Sequence, residues 1–174
     1  MTVGSIRHMH RKAIAVVSFA LASIFAAGVY SFVPPLFSSL VPPDLVYFQG
    51  KWTVTIKGDA ASVYTWTVTD DLKGEWLTGV VEKGGERLST DHWRVVAGRI
   101  ERYVFTSEGS SIKLVSSGWK TGKMIFNGIA SGKAMDFRIR ETITRETDTR
   151  FRTVWEKQGD DGKWIIFAEE TLSK

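Results

Sequence analysis

The last third of the chain constrains its fold most. Three runs, FRIRETITR at 137–145, TRFRTVWE at 149–156 and KWIIFAEET at 163–171, interleave bulky or apolar residues with charged ones. Alternation with a period of two is the signature of a half-buried antiparallel strand, in which successive side chains point to opposite faces. The segments between them, Glu146-Thr-Asp148 and Gln158-Gly-Asp-Asp-Gly162, carry residues that tolerate tight turns. A β-meander is the simplest structure that satisfies both patterns.

The same grammar runs back to Val46. Strand-like runs at 46–56, 62–69, 75–82, 87–97, 100–106, 112–119 and 123–131 are separated by short polar or glycine-bearing segments, among them Lys83-Gly-Gly85, Gly98-Arg99, Thr121-Gly122 and Gly132-Lys133. With the last three runs they make ten strands. Connections of two to about five residues leave no room for parallel crossovers, so neighbours in sequence should pair antiparallel. The expected fold is all-β, a single up-and-down barrel of about ten strands, with two packed sheets as the alternative. Closure removes exposed sheet edges, and a barrel of this size is wider than its side chains need fill.

Upstream, residues 1–12 are polar and basic, and residues 13–33 form 21 consecutive positions without a charge. As a helix this run would measure about 31 Å, close to the thickness of a bilayer's hydrocarbon core. Residues 34–44, with Pro34-Pro35 and Pro42-Pro43, read as a stiff proline-rich linker, which leaves residues 45–174 for the barrel. Arg7, Arg11 and Lys12 precede the apolar run, an arrangement that keeps the N-terminus cytoplasmic and exports the C-terminal domain. The hydrophobic helix is either a retained transmembrane anchor or a signal peptide cleaved near Ala20-Leu-Ala22 or Ala26-Ala-Gly28. The first predicts a single-pass membrane protein with its C-terminal domain outside the cytoplasm, the second a secreted one.

Charge and composition narrow the functions available. From Leu45 onward there are 20 basic and 18 acidic side chains, too even a balance for a nucleic-acid-binding face. The chain has no cysteine, hence no disulfide, thiolate metal site or cysteine nucleophile. No phosphate loop, Gly-x-Ser-x-Gly or His-Glu-x-x-His motif is present. His8 and His10 have no third ligand nearby and read as solvated.

Gly50-Lys-Trp52 in the first strand resembles the Gly-x-Trp that opens lipocalins and other calycin barrels. The later cadence FRIRET at 137–142, FRTVWE at 151–156 and DGKW at 161–164 is similar to that of small bacterial lipocalin-like barrels of unassigned function. The resemblance implies that Gly50 and Trp52 form a structural motif at one barrel end. It also implies an arginine from a late strand, Arg140, Arg150 or Arg152, packed on the Trp52 ring. Two departures stand beside it. The segment 56–62 is too short for the helical lid of fatty-acid-binding barrels, and no histidine follows His92 to serve as the haem ligand of related barrels.

Arg138 and Arg140 share one face of the eighth strand, and Arg150 and Arg152 one face of the ninth. Turned inward, they could hold a carboxylate or phosphate head group through charge-assisted hydrogen bonds, with Trp52 and Trp155 against its apolar tail. Turned outward, they would form a ladder with Glu141, Glu146 and Glu156 while Phe137, Ile139, Ile143, Phe151, Thr153 and Trp155 face in. His92, in Asp91-His-Trp93, is a hydrogen-bonded structural residue, an axial haem ligand or a general base. The adjacent acids Glu169 and Glu170 diverge on a strand rather than share one substrate. The expectation is therefore a non-catalytic barrel that requires no cofactor and takes a small hydrophobic or amphiphilic ligand. Its alternative is a filled barrel acting as an interaction module of the cell envelope.

Overall fold

A computed structural model describes residues 41–174 apart from 133 and 134. The apolar run at 13–33 and most of the linker lie outside the described residues. Among those described, no helix is long and apolar enough to cross a membrane.

Ten antiparallel strands form one closed barrel. They are β1 (Gly50–Ile56), β2 (Asp59–Asp71), β3 (Trp76–Lys83), β4 (Glu86–Val96), β5 (Arg99–Thr106), β6 (Ser111–Lys120), β7 (Lys123–Gly132), β8 (Met135–Thr147), β9 (Arg150–Gln158) and β10 (Trp164–Ser173). Each pairs with its neighbours in sequence, and β1 closes on β10 from Thr53 opposite Ser173 to Ile56 opposite Glu170. The turns are tight, as expected, though the hairpin expected at Gly98-Arg99 falls one residue earlier, with Arg99 opening β5. Ala97-Gly98 and Thr121-Gly122 adopt positive φ, the geometry of two-residue hairpin loops.

The sequence reading departs from the structure at the start of the first strand. Residues 46–49 do not extend it. A one-turn helix, α1 (Pro43–Val46), lies there instead, and strand geometry begins at Gly50. The φ of +110° at Gly50 turns the chain from the helix into the barrel wall, a conformation available to glycine without a Cβ clash. The VYFQ run has strand-like composition, but Phe48 is buried in a plug together with Val41 and Leu45, while Val46 is exposed. Val41, Leu45 and Phe48 are each no more than 3% exposed.

This plug closes one barrel end. Phe48 stacks on Trp119 with ring centroids 5.7 Å apart and packs against Trp93, Trp66 and Phe151. Polar ties hold it in place. Trp52 Nε1 donates to the Phe48 carbonyl at 2.7 Å, Trp119 Nε1 to the Asp44 carbonyl at 2.9 Å, and Tyr47 Oη to the carbonyls of Thr147 and Arg150. The apolar core, including Leu77, Leu114, Met124, Phe126, Ile139 and Ile143, lines the wall above it. Fully burying side chains of this size contributes about 1.5–3 kcal/mol each.

Candidate functional site

Above the plug, five strands bring polar and charged groups into the interior. Asp91 lies on β4, Arg102 on β5, Glu141 on β8, Thr153 on β9 and Glu170 on β10. Their parity explains why. Asp91 is two residues from buried Trp93, Arg102 lies between Ile100 and Val104, and Glu141 lies between Ile139 and Ile143. Each therefore points to the face that its apolar neighbours bury.

Arg102 joins these walls. Its Nη2 and Nε donate to Asp91 Oδ2 at 2.6 and 3.2 Å, and its Nη1 crosses the interior to Glu141 Oε2 at 2.6 Å. Glu141 Oε1 accepts a further bond from Thr153 Oγ1 at 3.0 Å. The guanidinium carbon lies 4.3 Å from the Trp93 ring centroid, 5.6 Å from Trp155 and 5.9 Å from Trp66, so indole faces surround the cation. Burial works against the Arg102 charge, but Glu141 and Asp91 more than offset it and hold its pKa above the ordinary value.

Glu170 stands at the edge of this network. Its Oε2 accepts a bond from Trp155 Nε1 at 3.3 Å, and no cation among the described residues pairs with it. Burial and then the charge of Glu141 push its pKa up, and burial also raises that of Glu141 against the opposing pull of Arg102. The register shift between Ile166 and Ala168 in β10 makes this position possible. It places Phe167 in a bulge and turns Ala168, Glu170 and Leu172 inward, so the adjacent acids separate. Glu169 points outward to Lys57 Nζ at 2.8 Å.

Two cavity lobes meet at Val81, Arg102, Trp155 and Glu170. One, of about 260 Å³, has Val54, Ile56, Ile143, Phe151 and Leu172 in its apolar wall, with Trp66 and Trp93 beside Arg102. The other, of about 250 Å³, extends past Asp91 to Ile112, Phe137 and Phe167. Trp66 Nε1, Trp93 Nε1 and Asp91 Oδ1 are buried without a hydrogen-bond partner among the described residues. Orphaned polar atoms cost about 1–3 kcal/mol each, and they are concentrated in this part of the barrel.

The arginines singled out from the sequence lie elsewhere. Arg138, Arg150 and Arg152 are exposed on the outer wall, and Arg140 is half-buried there, bonded to Glu156 by Nε at 2.6 Å and Nη2 at 2.7 Å. Arg150 pairs with Glu146 at 2.9 Å. The outer ladder thus forms without Glu141, which faces the interior. Trp155 lines both lobes, whereas Trp52 is fully buried beside the plug. The cation over the Trp52 ring is Lys174, with Nζ 4.4 Å from the centroid. Arg140 lies over Trp164 instead, and Arg145 over Tyr47. His92 faces outward, 3.4 Å from Thr78 Oγ1 and tilted against the Phe105 ring, away from the interior carboxylates.

No family model matches the chain, and no curated protein does. Among solved structures, the crystal structure of Rv2717c from M. tuberculosis superposes with a TM-score of 0.54 at 10% identity, covering 77% of this chain and 98% of that one. At that identity the likeness concerns the barrel fold alone.

Proposed function

We propose that the protein is a lipocalin-like binding barrel that holds a small hydrophobic or amphiphilic molecule in its interior and acts without catalysis. The observation that carries this reading is the tryptophan-lined lobe of about 260 Å³ with a polar network on one wall. Largely preformed concave sites, mostly apolar with a few placed polar groups, are the usual form of small-molecule sites. His92 faces outward, away from the lobes, which favours binding over a reaction that uses His92 as its base. The basic head and the apolar run at 13–33 support export, with the barrel tethered to the outer side of a membrane.

Native mass spectrometry of the full-length protein, purified under mild conditions and compared before and after organic extraction, tests this. A discrete mass lost on extraction is the expected result. A bare mass, together with no uptake of added amphiphiles, would favour an interaction module whose barrel is held open only by its internal ion network.

A further inference from the structure

The charged groups inside the barrel do not balance. Among the described residues, Asp91, Glu141 and Glu170 face one cation, Arg102. Three of the guanidinium's five N–H donors are engaged, two by Asp91 on one side and one by Glu141 on the other. An entering carboxylate or phosphate would find Arg102 already neutralised by two acids and would approach a third, Glu170. Like charges brought together in a poorly hydrated interior repel strongly, which works against an anionic head group.

Glu170 has the opposite property. One of its oxygens takes the Trp155 indole N–H, and its other oxygen, Oε1, has no partner among the described residues. It stands where the two lobes join. Burial and the charge of Glu141 disfavour its charged form while it stands without a cation. A ligand that brings a positive charge to this point removes that penalty, because a buried carboxylate is tolerated once it is paired and hydrogen-bonded. The lobe beside it offers a hydrocarbon wall of Val54, Ile56, Ile143, Phe151 and Leu172.

We infer that the barrel selects cationic amphiphiles, a protonated amine on an alkyl or aryl tail, with the ammonium seated on Glu170 and the tail in the lobe of Val54, Ile143 and Leu172. This rests on the binding role proposed above and specifies its ligand class. Specificity then has two parts. The apolar lobe takes any tail of suitable length, and the surplus acid chooses the head group by rejecting anions as much as by attracting cations. Glu141 holds Arg102 in place, which keeps that cation from turning to Glu170.

The test is a matched series with one tail and three heads: octylamine, octanol and octanoate. Full-length protein in phosphatidylcholine nanodiscs is dialysed to equilibrium against each, with empty nanodiscs as the reference for uptake by lipid. The expected result is that octylammonium binds at least about tenfold more tightly than octanoate. Glu170→Gln, whose amide oxygen can still accept from Trp155, should lose that preference, so that octylammonium and octanoate bind within about twofold of each other. Glu170→Asp should retain part of it, and circular dichroism checks that both variants keep the barrel. Octanoate binding as tightly as octylammonium, or a preference that survives Glu170→Gln, overturns the inference. Equal uptake of all three heads leaves the binding barrel standing and removes its head-group selectivity, whereas uptake of none removes both.

Discussion

Replacing Arg102 with methionine removes the cation that Asp91 and Glu141 share and keeps a side chain of similar reach. The Asp91 and Glu141 side chains, each 3% exposed, would then lie in the barrel without their common partner. Removing one member of a buried ion pair costs about 3–5 kcal/mol, against a total stability of about 5–15 kcal/mol for a domain. A loss of about 4 kcal/mol at pH 7 is therefore expected. The folded variant can relieve the repulsion only by holding protons that the unfolded chain, whose carboxyls titrate near ~4, does not bind at neutral pH. Each such proton adds up to about 1.4 kcal/mol of destabilisation per pH unit, so the penalty should shrink on acidification. Urea unfolding followed by tryptophan fluorescence at pH 5 and pH 7 measures both quantities. Arg140→Met is the control. It breaks a pair with equally short bonds on the outer wall, where solvent screening limits the cost to at most about 1 kcal/mol. A loss below about 1 kcal/mol for Arg102→Met at pH 7, or one that is the same at both pH values, would refute the view that Arg102 holds the interior acids together.

Gly79→Ala should destabilise the barrel by about 1–3 kcal/mol for a steric reason, since a Cβ there would overlap Asp91 Oδ1 and crowd Trp66 Nε1. A thermal melt checks it, and an unchanged midpoint would mean that Asp91 can leave Arg102 at no cost. Stability should also fall as pH rises from 5 to 8. Burial, partly offset by Arg102, raises Glu141, and burial reinforced by Glu141 raises Glu170, so the folded state holds more protons than the unfolded one. That stabilisation is complete below the unfolded pKa of about 4.3 and is lost as pH climbs through the folded values. Glu101, Glu156 and Asp161 are lowered, so their contributions are gained below this window and do not mask the slope. Urea midpoints across the range, with Glu170→Gln flattening the trend, decide the point; a midpoint that rises with pH would contradict it.

The barrel was legible because period-two alternation and short turns act locally, and nearly all of its strand pairing is between neighbours in sequence. The plug was not, since a short segment folded over a barrel mouth buries its apolar residues as a strand would, and α1 is a single turn held by tertiary contacts such as Trp119 to Asp44. The interior network shows a different limit. Glu141 shares parity with Phe137, Ile139 and Ile143, so once those residues are placed inside, the strand must carry the acid in with them. An acid on an apolar face then implies a partner on another inward face, and IERYVFT offers Arg102 at the parity of Ile100 and Val104. What obscured it was that Tyr103 and Phe105 make the opposite face of β5 look equally apolar, although Phe105 is 47% exposed. Glu170 was hidden further by the Phe167 bulge, which shifts parity midway along β10. Adjacent acids on a regular strand diverge, and Glu169 and Glu170 do; which of them enters the barrel depends on one extra residue. The arginines that stood out were numerous because the outer wall is solvated, where ion pairs are inexpensive and weak. The arginine that reaches the cavity stands alone on its strand face, and its surroundings make it the anchor for two acids while leaving the third without a cation among the described residues. A sequence search for clustered charge therefore points outward, whereas a search for a lone charge inside an apolar parity set points to Arg102 and Glu141 and, through them, to the unpaired carboxylate of Glu170.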